Sequence, residues 1–85
     1  MNLPPSNTPL YNHPLPTIEA WLREKGCIQD EQDPTRWSVV YDNWRAEIFM
    51  DIEEIRVRYG GASSARAFPY SLSRRDVEDA IFTGP

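Results

Sequence analysis

The stretch "RWSVVYDNWRAEIFMDIEEIRVRY", residues 36–59, decides the fold. Three runs in it alternate apolar and polar side chains. Trp37, Val39 and Tyr41 point one way in the first. Trp44, Ala46, Ile48 and Met50 do so in the second, and Ile55, Val57 and Tyr59 in the third. A period of two marks strands with one covered face. Asp42-Asn43 supplies a two-residue hairpin turn between the first two runs. That turn sets Tyr41 against Trp44, Val39 against Ala46 and Trp37 against Ile48. If Ile52-Glu53 turns the second hairpin, Met50 meets Ile55, Ile48 meets Val57 and Ala46 meets Tyr59. Every inward residue then has an apolar partner, and such pairs contribute about 0.2–1 kcal/mol each. On the other side Glu47 falls opposite Arg58, and Phe49 opposite Arg56. One pair is unfavourable, Asp51 opposite Glu54, and a wider second loop would relieve it.

A sheet with one apolar face needs a cover, and the flanks supply two amphipathic helices. The first is predicted over Thr17–Lys25, with Thr17 as N-cap, Glu19 in the first turn and Gly26 as the stop. Ile18, Trp21, Leu22 and Lys25 recur at helical spacing. "CIQDEQDPT", residues 27–35, reads as a polar connection. The second helix lies in "SLSRRDVEDAIFTGP", residues 71–85. Ser73 is its N-cap with Asp76 at N3, and Leu72 and Val77 form a hydrophobic staple. Val77, Ala80 and Ile81 give its stripe, and Gly84-Pro85 its end. "GGASSARA", residues 60–67, reads as a flexible loop. Phe68 and Tyr70 allow a fourth strand within residues 66–70, restricted to an edge by Pro69. The expected architecture is therefore α+β in the order α-β-β-β-(β)-α. It is an antiparallel meander of three to four strands with two helices on one face.

Residues 1–16 hold five of the eight prolines and form an extended arm ahead of a single domain, residues 17–85. Its first few residues are expected to be disordered. Leu10, Tyr11 and Leu15 suit the arm either to lie on its own domain or to grip a partner.

The 85 residues carry 9 basic and 13 acidic side chains, a net charge of −4. An acidic chain is poorly suited to a polyanion, so nucleic acid is not the expected partner. Eight of the nine basic residues are arginine, which favours bidentate recognition of carboxylates and phosphates. One cysteine, Cys27, and one histidine, His13, make neither a disulfide nor a metal site, and no cofactor is expected. No apolar run approaches the about 20 residues of a membrane span, and no secretory signal is evident. These features place the chain in a cytoplasmic setting. No paired nucleophile and base can be proposed, so the chain is not expected to be an enzyme.

Three surfaces remain for binding. The arm offers Leu10, Tyr11 and Leu15. The outer sheet face offers Arg45, Phe49, Arg56 and Arg58, the residue types enriched at protein interfaces. Arg74 and Arg75 stand at a helix start, where amides carry partial positive charge. Two cations there are unfavourable unless an anion binds or they pair with Glu78 and Asp79 one turn on. The i,i+4 pairing is the preferred expectation. Strand edges leave a monomer or a weak homodimer open.

The α–β–β–β–α order resembles the double-stranded-RNA-binding fold, with Arg74 and Arg75 at the start of the last helix. Glu78 stands where that family carries a further basic residue, and Asp42-Asn43 is too short a loop to reach a minor groove. A closer resemblance is one of sequence. "TPLYNHPLPTIEAWLREKGC" (8–27), "RVRY" (56–59) and "YSLSRRDVEDAIFTGP" (70–85) resemble a family of small cyanobacterial and plastid proteins of unknown function, domain of unknown function 3143. The resemblance runs from residue 8 to 85 and implies a cytosolic or stromal protein of a photosynthetic organism. It brings no catalytic residues. The resulting expectation is a protein-binding adaptor, assembly factor or chaperone for a photosynthesis-related complex: a carboxysome component, Rubisco or a photosystem subunit. The alternative is an RNA-binding module.

Overall fold

The computed structural model of the protein describes residues 3–61 and 65–84. The elements are a 3-10 turn Leu10–Asn12, helix α1 Leu15–Glu24, strands β1 Ile28–Gln29, β2 Arg36–Val40, β3 Arg45–Met50, β4 Glu54–Tyr59 and β5 Arg66–Pro69, and helix α2 Arg74–Phe82. The strands form one antiparallel sheet in the order β1-β2-β3-β4-β5. The class is α+β, as the alternation predicts, with five strands.

The two hairpins hold the expected register. Val39 faces Ala46 and Trp37 faces Ile48. Met50 faces Ile55, Ile48 faces Val57 and Ala46 faces Tyr59. Tyr41 N–H donates to Trp44 O at 2.8 Å and closes the first turn. Asp51 N–H donates to Glu54 O at 3.0 Å, so the second loop also has two residues and is not wider. The like-charge pair is tolerated because Arg56 stands between its members. Nη1 is 3.9 Å from Asp51 Oδ2 and Nε is 3.8 Å from Glu54 Oε2.

The inner face meets both helices in one core. Trp21 and Leu22 of α1, Val77 and Ile81 of α2, and Trp37, Val39, Ile48, Ile55 and Val57 of the sheet are buried together. Tyrosines at the sheet's end tie down both helix C-termini. Tyr41 Oη donates to Lys25 O at 3.0 Å, and Tyr59 Oη donates to Ile81 O at 2.7 Å. These bonds satisfy carbonyls that a helix end leaves without partners. Trp44 fills the space between the two rings, at 4.6 and 5.4 Å.

Helix α1 corrects the expected start. It begins at Leu15, so the segment ahead of it ends at Pro14 rather than at residue 16, and Thr17 is inside the helix. Thr17 is buried and its hydroxyl donates to Pro14 O at 2.6 Å, so it caps nothing, and no acid stands in the first turn. Pro16 explains the difference: proline in the first turn lacks only an N–H that has no partner there anyway. The C-terminal end is as expected. Gly26, at φ 89°, donates to Arg23 O, and Cys27 donates to Leu22 O, the paired bonds of a Schellman motif. In α2, Asp76 N–H donates to Ser73 Oγ at 3.1 Å, confirming that N-cap. Gly84 turns the chain away at φ 94°, and Pro85 lies outside the described residues.

Two strands needed tertiary partners. Ile28–Gln29, expected as part of a polar connection, pairs with β2 as an edge strand. In β5, Phe68 and Pro69 are strand as expected, but the strand starts at Arg66, inside the expected loop, and Tyr70 falls in the following turn. Residues 62–64 of that loop lie outside the described residues, as do Met1 and Asn2.

Candidate binding surfaces

The outer face of the sheet carries Arg36, Ser38 and Val40 on β2, Arg45, Glu47 and Phe49 on β3, and Arg56 and Arg58 on β4. Both helices lie on the other face, so this one is open, and Val40 is 77% exposed. Glu47 stands opposite Arg58 in the register but forms its ion pair with Arg36. The Arg36 guanidinium also lies 6.0 Å from the centre of the Phe49 ring. Arg56 is engaged by Asp51 and Glu54. Arg45 and Arg58 have no ion pair among the described residues. Arg45 lies across Gly60, where a Cβ would come within 2.7 Å of its Cγ and Nε. Glycine there leaves room for the Arg45 side chain to cross the end of β4. Two arginines on neighbouring strands therefore border one recess, with Ser38, Val40 and Glu47 also in its wall.

The start of α2 is arranged differently from the expectation. Among the described residues no ion pair joins Arg74 to Glu78 or Arg75 to Asp79. Glu78 faces α1 instead: it accepts from Trp21 Nε1 at 2.9 Å and lies 3.1 Å from Lys25 Nζ. Burial alone would raise the Glu78 pKa, yet the bonds from Trp21 and Lys25 and the charges of Lys25 and Arg74 outweigh it and hold the carboxyl low. The first amides of α2 are also occupied. Arg74 N–H donates to Thr8 O and Arg75 N–H to Ser6 O, and Arg74 Nη2 donates to Pro4 O at 3.0 Å. Carbonyls of the N-terminal segment thus stand where an anion would bind, supplying the partial negative charge the helix end favours.

The same bonds place the N-terminal segment on its own domain. Pro9 bridges to Ser73, Leu10 N–H donates to Leu72 O, and Tyr11 N–H to Tyr70 O. Leu10, a candidate for gripping a partner, is 0% exposed and belongs to the core. Turning one residue of the segment inward buries Leu10, while Tyr11 and Leu15 stay outside at 65% and 57% exposure.

Tyr11 and Leu15 border a groove of about 480 Å³. It lies between the N-terminal segment, the start of α1 and the β3–β4 turn. Ile18, Met50, Ile52 and Tyr70 complete its apolar lining. Sequence reasoning missed it. The one available signal was Ile52, an apolar residue at a turn position that is 96% exposed. His13 lines the groove while itself buried; Nδ1 donates to Pro9 O at 3.0 Å and Nε2 has no partner.

Cys27 is a free thiol among core residues, its pKa pushed up by burial to about 11, which fits a packing role rather than a nucleophile. Among the described residues no group of His, Cys, Asp or Glu could hold a metal ion. Among the described residues no helix is long and apolar enough to cross a membrane.

Fold and surfaces together define a small two-layer α+β domain with one open, arginine-bearing sheet face and an apolar groove at one end. The chain belongs to the family described as Protein of unknown function (DUF3143), whose model matches residues 25–84. No curated protein and no solved structure matches it.

Proposed function

We propose that this protein is a non-enzymatic protein-interaction module, an adaptor or assembly factor that holds a partner on its outer sheet face. The observation that carries this reading is the open face itself. Four arginines, Phe49 and an exposed Val40 share it in a chain of net charge −4. Arginine beside an aromatic ring contributes strongly when desolvated by a partner. Arg45 and Arg58 supply the cationic part, because Arg36 and Arg56 already have carboxylates beside them. The partner surface is accordingly acidic. The photosynthetic setting implied by the sequence resemblance makes carboxysome components, Rubisco and photosystem subunits the first clients to test.

The test is a tagged pull-down from the native cell with wild type and with Arg45→Glu plus Arg58→Glu. These two residues hold no ion pair among the described residues, so circular dichroism should stay unchanged while the partner is lost. Retention of the partner by the folded double variant refutes the outer-face reading. Salt-sensitive binding of duplex RNA, lost in Arg74→Ala with Arg75→Ala, would replace it with the RNA-binding one.

A further inference from the structure

The groove at the β3–β4 turn is a second surface, of a chemistry opposite to the outer face. No lysine or arginine lines it, whereas Glu19 and Asp51 do. Its polar groups have largely spent their donors within the protein. Tyr70 Oη donates to Asp51 O at 2.6 Å, Thr35 Oγ1 to Asp33 Oδ1 at 2.6 Å, and His13 Nδ1 to Pro9 O. The Tyr11 hydroxyl, at the exposed mouth, is the lining donor left over among the described residues. What remains is mainly acceptor capacity. Glu19 Oε2 accepts from Gln29 Nε2 at 3.2 Å, and Asp51 has Arg56 at a distant 3.9 Å. Burial raises the pKa of Tyr70, and the charges of Asp51 and Glu54 raise it further.

We propose that this groove docks a peptide segment of a partner protein in which aliphatic side chains stand beside a lysine or arginine. Apolar side chains of such a segment would cover Leu15, Met50 and Ile52, and its cation would meet Glu19 and Asp51. Peptide N–H groups bring the donors that the groove lacks. A volume near 480 Å³ is that of a site for a few side chains. The site does not depend on the outer face. With two surfaces of opposite sign, one copy of the chain can hold a basic apolar segment and an acidic surface at once.

Methyl-labelled full-length chain, followed by NMR, tests this with three capped eight-residue peptides. One alternates Leu with Lys, one Leu with Glu, and one Ser with Lys. The expected result is saturable shifts of the Ile18, Met50 and Ile52 methyls with the Leu/Lys peptide alone. Glu19→Lys with Asp51→Lys should weaken that binding about tenfold, since two exposed ion pairs become repulsions. Ile52→Glu, at an exposed turn position, should weaken it while the fold is kept. Arg45→Glu with Arg58→Glu should leave it unchanged, which separates this site from the outer face. Equal binding of the Leu/Glu or Ser/Lys peptide overturns the proposal, as do shifts mapping to the outer face or no shifts at all. Binding of octylammonium without binding of the Leu/Lys peptide also overturns it, in favour of a small amphipathic amine.

Discussion

Glu78 gives α2 its polar link to α1, and replacing it should separate hydrogen bonding from charge. Trp21 is fully buried, and its indole N–H has Glu78 Oε1 as acceptor at 2.9 Å. Lys25 Nζ reaches the same oxygen at 3.1 Å, with both side chains about one-third exposed. Glu78→Leu covers the indole nitrogen with carbon and admits no water. A buried donor left without a partner costs about 1–3 kcal/mol. The partly exposed Lys25 pair adds at most about 1 kcal/mol. Glutamate and leucine have similar helix propensities, so the helix itself is little affected. The net loss should be about 2 kcal/mol, or about 8–16 °C in Tm for a domain of this size. Glu78→Gln keeps an acceptor for Trp21 and should lose only about 0.5–1 kcal/mol, the charged part of the interaction. Urea unfolding at pH 7 measures both. The pH dependence gives an independent check. The Glu78 pKa is lower in the fold than its ordinary 4.5, so its contribution is full above about 4.5 and is lost as pH falls through the folded value. Wild type should lose this increment on acidification and neither variant should. Equal loss in the Leu and Gln variants would refute the hydrogen-bond account.

Leu10→Ala should cost about 2–5 kcal/mol in urea unfolding, as for any fully buried leucine; a loss under 0.5 kcal/mol would mean that the N-terminal segment is not part of the core. Gly84→Ala should lower stability by about 1–2 kcal/mol, because φ is 94° there. A Cβ would also sit 2.9 Å from Trp44 Nε1, so the change should be visible in tryptophan fluorescence as well as in Tm. Cys27 should resist iodoacetamide at pH 8 in the folded chain and react fully in urea, since burial holds its thiol near 11; rapid labelling of the native chain would show that α1's C-terminal end opens.

The amino-acid sequence by itself determined the sheet's central register, the Ser73 cap and the Gly26 stop. Each rests on interactions between residues near in sequence. Two-residue turns at Asp42-Asn43 and Ile52-Glu53 leave a single way to pair three alternating runs, and a slip of one would put Trp37, Ile48 and Val57 into water. A cap or a glycine stop is likewise complete within one turn of helix. Tertiary structure decided what depends on neighbours far along the chain. Glu78 could pair with Arg74 at i,i+4 by spacing, but the buried Trp21 indole, 57 residues away, requires its carboxylate more. The amides at the start of α2 took carbonyls from Ser6 and Thr8, and Leu10 went into the core, because the segment that carries them folds back across that helix. Strand β1 exists only because β2 presents a free edge to residues with weak preferences of their own. The groove belongs to no single segment: three elements leave it between them, and only their packing gives it a shape.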